Sequence, residues 1–125
     1  MSYDTNNIFA KILRGEIPCD KVFENDHALA FNDISPQAKV HVLVIPKGSY
    51  KDVDDFSKNA SKDEITSLMQ AVAEVCKITK VSLTEGGNGF RLIANTGPDG
   101  SQEVPHFHYH VMGGEPMGLR GLRKV

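Results

Sequence analysis

One seven-residue stretch constrains this chain more than any other: His106-Phe107-His108-Tyr109-His110-Val111-Met112. Histidine alternates with aromatic or aliphatic residues, and a β-strand sends successive side chains to opposite faces. Extended, the segment puts His106, His108 and His110 on one face and Phe107, Tyr109 and Val111 on the other, toward a core. Wound as a helix, it would scatter the imidazoles and leave the apolar residues without a stripe. The alternation predicts a strand with a row of imidazoles along one side.

Such a row has two chemical readings, metal ligation and acid–base or nucleophilic chemistry. Same-face neighbours on a strand lie about 6.7 Å apart, so the Cα atoms of His106 and His110 are roughly 13 Å apart. Zinc needs its ligand nitrogens at about 2.0–2.1 Å in a tetrahedron. Two of these histidines could share a metal with a ligand from elsewhere, His41 first among the candidates, but three from one straight strand converge badly. A His-rich solvent-facing surface would account for a single histidine more readily than for three at strict spacing out of five in the chain. A reaction surface is the better reading, with one imidazole as nucleophile or base and its neighbours positioning it.

A chain of 125 residues suits one domain with one sizeable core. That domain is read as residues 1–125, with 1–7 a flexible start and 113–125 a tail. A net charge of −2 carries no electrostatic footprint for nucleic acid or an anionic membrane. Arg120, Arg123 and Lys124 read as a solvated basic end. Cys19 and Cys76 lie far apart without metal or CxxC spacing, which argues against a disulfide framework and for a reducing setting. No apolar leader follows Met1 and no apolar run is long enough to span a bilayer, so the cytoplasm is the expected location.

Along the chain, Ile8, Phe9, Ile12 and Leu13 recur at helical spacing before Gly15, predicting a short helix over 7–14. Residues 21–24 and 28–32 read as hairpin strands joined at Asn25-Asp26. Val40 to Ile45 is β-branched enough for a central strand, which Pro46 ends. Residues 48–59 are polar and mixed and read as a loop. Ser61-Lys62-Asp63-Glu64 has the form of a capping box. It opens a long amphipathic helix carrying Ile65, Leu68, Met69, Val72, Val75 and Cys76, expected to run to about 82–85 before Gly86-Gly87. Residues 90–95 give a fourth strand, 96–101 a turn, and the histidine stretch a fifth. This order predicts an α+β domain with an antiparallel sheet of about five strands.

The Gly- and polar-rich loop before the histidines could present backbone N–H groups to an anion such as phosphate, although such composition usually marks only a turn. His41 sits in a strongly apolar strand, and its case as a functional residue depends on that strand neighbouring the histidine strand. Asp33, directly after a strand, could accept hydroxyl hydrogen bonds from a sugar; on spacing alone a loop cap is the simpler reading.

His106-Phe107-His108-Tyr109-His110-Val111 resembles the HxHxHxx signature of the histidine triad (HIT) superfamily of nucleotide hydrolases and transferases. Asn7-Ile8-Phe9-Ala10-Lys11-Ile12, the stretch from Phe31 to Ala38, and His41-Val42-Leu43-Val44-Ile45-Pro46-Lys47 resemble the Hint branch in order and spacing. The resemblance covers roughly Ile8 to Met112. It implies a HIT-like fold, a homodimer whose sheets join into one, no metal and no cofactor. It also implies a purine nucleotide ligand, with a phosphoramidate or acyl-adenylate as substrate and AMP or GMP as product. By motif match, His108 would be the nucleophile, His110 and His41 would contact the phosphate, and the His106 carbonyl would hold the tautomer of His108. Asp33 would bind the ribose, and Ile8, Phe9, Ile12, Phe31, Ile34 and Leu43 would wall the base. Asn95 would help hold the phosphate, and Gln102, Glu103 and Val104 belong to the implied nucleotide site.

Three positions depart from that pattern. Glu103 stands where many Hint proteins have a serine that donates to the leaving group, and an ionised carboxylate only accepts. Ala10 replaces a cysteine that some bacterial members use for structural zinc. The tail after Gly114 does not follow the animal proteins. The leading expectation is a purine nucleoside phosphoramidase. Its rivals are a dinucleoside polyphosphate hydrolase, against which the stretch from Asp33 to Ala38 argues, a nucleotide-binding regulatory module with weak turnover, and last a metal-dependent hydrolase.

Overall fold

The computed structural model describes residues 2–118. Its elements are α1 (Ile8–Leu13), β1 (Lys21–Glu24), β2 (Ala28–Asn32), β3 (Val40–Pro46), α2 (Val53–Asn59), α3 (Lys62–Ile78), a 3-10 turn at Leu83–Glu85, β4 (Phe90–Ile93) and β5 (Tyr109–Gly113). The strands form one antiparallel sheet in the order β1-β2-β3-β5-β4. The expected α+β architecture with five strands is what the chain adopts. The basic residues Arg120, Arg123 and Lys124 lie outside the described residues.

Alternation along β3 decides which side of the sheet does what. Val42 and Val44 join one core with Leu68, Ala71, Val72, Val75 and Cys76 of α3, while Leu43 and Ile45 join a second with Phe9 of α1, Leu29 and Phe31. Each large aliphatic side chain buried this way contributes roughly 1.5–3 kcal/mol relative to exposure. The long helix thus fills one face. The single short helix covers only part of the other, and the imidazoles occupy what remains.

The structure departs from the expected elements in three places. Residues 48–59 are not all loop: Val53–Asn59 is a helix, capped by Asp52 accepting from the Asp55 N–H, with Asp54 and Asp55 in its first turn. Phe56 is its only buried residue, too little for a hydrophobic period to register. The long helix stops at Ile78 rather than near 82–85, because Lys80 turns to φ +64° and the chain re-forms only as the separate Leu83–Glu85 turn. Finally, β4 ends at Ile93, not Asn95, and the ladder of β5 begins at Tyr109, not His106. Val44 pairs with Tyr109, and beyond it the Phe107 N–H bonds the Tyr50 carbonyl at 2.8 Å instead of β3. The alternation persists without the ladder: Phe107 packs into the α3-side core while His106 and His108 are buried against Phe9 on the other side.

Candidate active site

Because β5 lies between β3 and β4, His41 and His110 become neighbours on one face, with Leu43 opposite His110 and His41 opposite Met112 in register. The condition attached to His41 in the sequence is met. These residues floor a cavity of about 540 Å³ that Phe9, Asp33, Asn95, Glu103, Val104 and His108 also line.

The hydrogen bonds assign the ring tautomers of the four histidines gathered here, His41, His106, His108 and His110. The backbone N–H of Gln37 donates to His41 Nδ1 at 3.1 Å, so the proton of neutral His41 sits on Nε2. That Nε2–H donates to His110 Nδ1 at 2.9 Å and lies 3.5 Å from Asp33 Oδ2. His110 therefore carries its own proton on Nε2. The His108 Nδ1–H donates to the His106 carbonyl at 2.7 Å, which leaves the His108 Nε2 lone pair free. The fully buried His106 donates from Nε2 to the Pro46 carbonyl at 2.8 Å and accepts at Nδ1 from the Tyr3 hydroxyl at 2.5 Å. One unprotonated nitrogen, on His108, and one N–H donor, on His110, are what the row offers a ligand.

Electrostatics keep them that way. Burial pushes His106 and His110 down to about 4, the mutual charge of neighbouring imidazoles adding to the effect on His110. Burial also lowers His41 and His108, against the opposing pull of Asp33 on both and of the His106 carbonyl and Glu103 on His108. All four rings are neutral at pH 7, and a neutral imidazole is the nucleophilic form.

Asp33, His41 and His110 bring one ligand atom each within 4.8 Å of one another, close enough to consider a metal. The tautomers oppose it. His41 would have to give up its Nε2 proton while Nδ1 still accepts from Gln37, which makes it an imidazolate. The set fits a hydrogen-bonded relay better than a cation.

The other sequence-derived candidates divide. Phe31 lies behind Phe9 in an edge-to-face contact at 5.5 Å, and Ile12 packs on the same cluster. Ile8 is 42% exposed and Ile34 is 94% exposed, next to Asp33 but outside the cavity wall. Gln102 points into the loop frame: its Oε1 accepts from the Gly97 N–H, and its Nε2 donates to the carbonyls of Lys51 and Val104. Sequence reasoning missed Ser35, Gln37, Arg91, Ile93, Ser101 and Met112 in the cavity wall, and Tyr3 behind it. Arg91 and Ile93 share the strand parity of Asn95, a signal that was available.

A five-stranded antiparallel sheet with a histidine-bearing inner strand thus sets one bare imidazole nitrogen, on His108, and one imidazole N–H, on His110, in the wall of a single cavity. The model of the HIT domain matches residues 14–117, and the chain belongs to that family. It is 54% identical over 117 residues to an uncharacterized HIT-like protein of Azospirillum brasilense, covering 94% of this chain and 93% of the relative. It is 44% identical over 113 residues to the purine nucleoside phosphoramidase of Escherichia coli K12, covering 89% of each. Among solved structures, a HIT family hydrolase from Clostridium thermocellum superposes with a TM-score of 0.80 at 35% identity, covering 90% of this chain and 94% of that one.

Proposed function

We propose that this protein hydrolyses the P–N bond of purine nucleoside 5′-phosphoramidates through a covalent nucleotidyl intermediate on His108. The observation that carries the reading is the tautomer pair: a free lone pair on His108 Nε2 beside an N–H donor on His110 Nε2. The phosphoramidase activity named for the Escherichia coli relative supports it.

In the first step the His108 Nε2 lone pair forms a bond to phosphorus and the P–N bond breaks. Its electron pair leaves with the amine, which takes a proton from water at the cavity mouth near Glu103. His108 now carries the nucleotidyl group, still joined through its ribose 5′-oxygen, on Nε2 and a proton on Nδ1. Its positive charge is held by the His106 carbonyl and offset by Asp33 and Glu103, the groups that favour its charged form. In the second step water attacks phosphorus, the N–P bond breaks, the pair returns to Nε2, and the water's proton leaves to solvent. Phosphoryl transfer needs mainly positioning and charge stabilisation, which the His110 N–H and the relay from His41 supply. Phe9 and Leu43 would flank the base, Asp33 would take the ribose hydroxyls, and Asn95 would assist the phosphate. The protein would work as a homodimer.

The test is steady-state hydrolysis of a fluorogenic adenosine phosphoramidate by wild type and His108→Ala, with and without chelator. Turnover should fall at least a thousandfold in the variant while AMP binding persists, and chelator should change nothing. Undiminished turnover in the variant would remove His108 as nucleophile. Loss of turnover on adding chelator would revive the metal reading.

A further inference from the structure

His106 is the triad member whose ring faces away from the cavity, yet its carbonyl sets the tautomer of the nucleophile. The ring is fully buried, so both nitrogens need protein partners. Nε2–H has the Pro46 carbonyl at 2.8 Å, and Nδ1 has the Tyr3 hydroxyl at 2.5 Å, from a residue 103 positions away. The Tyr3 ring also stands edge-on to the imidazole, centroids 5.6 Å apart at 74°.

The segment that delivers Tyr3 is tied to the site's own helix. Buried Asn7 caps α1 by accepting from the Ala10 N–H at 2.9 Å, and its Nδ2 donates to the Asp4 carbonyl at 2.7 Å. Arg14 at the other end of α1 reaches back to the Thr5 carbonyl at 2.7 Å. The same helix lays Phe9 edge-on against His106 at 6.3 Å and His108 at 5.0 Å. Residues 3–9 thus close over the back of the triad as one piece.

We propose that Tyr3 is a positioning residue of the active site: its hydroxyl satisfies Nδ1 of the His106 ring, whose tautomer the Pro46 carbonyl fixes, and so steadies the carbonyl that orients His108. The inference rests on His108 as nucleophile for its kinetic consequence but not for the contact itself. Tyr3→Phe keeps the ring and removes only the donor, leaving a buried Nδ1 lone pair without a partner. The imidazole then gains by turning or by admitting water, and its backbone moves with it. In metal sites the loss of a partner that orients a histidine costs about 10–100-fold in activity, and a loss of the same order is expected here.

The experiment records imidazole nitrogen–proton correlation spectra of isotope-labelled wild type and Tyr3→Phe, with kcat and KM for the adenosine phosphoramidate. Wild type should show His106 as a pure Nε2–H tautomer with a hydrogen-bonded His108 Nδ1–H. Tyr3→Phe should shift the His106 Nδ1 and His108 Nδ1–H resonances and lower kcat at least tenfold with KM within about threefold. A mere structural anchor would lower the melting temperature and leave both resonances and kcat of the folded protein in place, and that outcome overturns the proposal. Should neither protein hydrolyse the substrate, the hydrolase reading fails, while unchanged spectra alone would still sink the Tyr3 contact.

Discussion

Four neutral histidines in one small region make the site a liability in acid as well as a tool at neutrality. An imidazole held near 4 in the fold ionises near 6.5 once unfolded. Between those values the unfolded chain binds protons that the folded chain refuses, so stability is full above 6.5 and falls as pH drops toward 4. Each such histidine adds a slope of about 1.4 kcal/mol per pH unit in that window. Urea midpoints of wild type and His110→Gln from pH 7 to 4.5 should therefore diverge, the variant losing less stability on acidification; parallel curves would show that His110 is not held neutral. Carboxylates titrate in both proteins and cancel in the difference. These residue-scale properties were only partly legible beforehand. The period-2 spacing gave the imidazole row and its outward face, but tautomers depend on which backbone groups lie alongside. Gln37, Pro46 and Tyr3 reach the rings through loop geometry that no local pattern encodes.

At the scale of elements, legibility follows how much apolar surface each one buries. The long helix announces itself through a capping box, whose Ser61–Glu64 exchange is present, and through five buried residues on one side. The hairpin strands and β3 keep their expected bounds to within a residue because their alternation or β-branching is unbroken. By contrast α2 rests on Phe56, which touches Tyr50 at 5.2 Å and Phe107 at 5.1 Å, and its one clear signal is the Asp52 cap. Phe56 is 4% exposed and holds Phe107, the residue between the first two triad histidines, from the core side. Phe56→Ala should cost about 3–5 kcal/mol in denaturant unfolding, as for other buried aromatic truncations. A loss under about 1 kcal/mol would mean that α2 is an ornament on the sheet and not part of the core beneath the triad.

At the scale of the whole molecule, the two sheet edges are unlike. The β1 edge carries Lys21 and Glu24, joined to each other and through Glu24 to Lys47, the charged guarding expected of an edge that stays single. The β4 edge, Phe90–Ile93, presents Phe90 at 42% exposure, with Leu83 at 72% close by in sequence and Met69 and Ile78 of α3 also showing. Pairing β4 with its copy about a two-fold axis would cover that edge and extend the sheet to twice its five strands. Sedimentation should accordingly give twice the monomer mass, and Phe90→Glu should return it to one. Because Arg91 and Ile93 line the cavity from that same strand, splitting the dimer should also lower turnover. A wild-type protein that sediments as a monomer at micromolar concentration would sink the paired sheet. A monomeric Phe90→Glu with full activity would keep the dimer but separate it from catalysis, making each cavity self-sufficient.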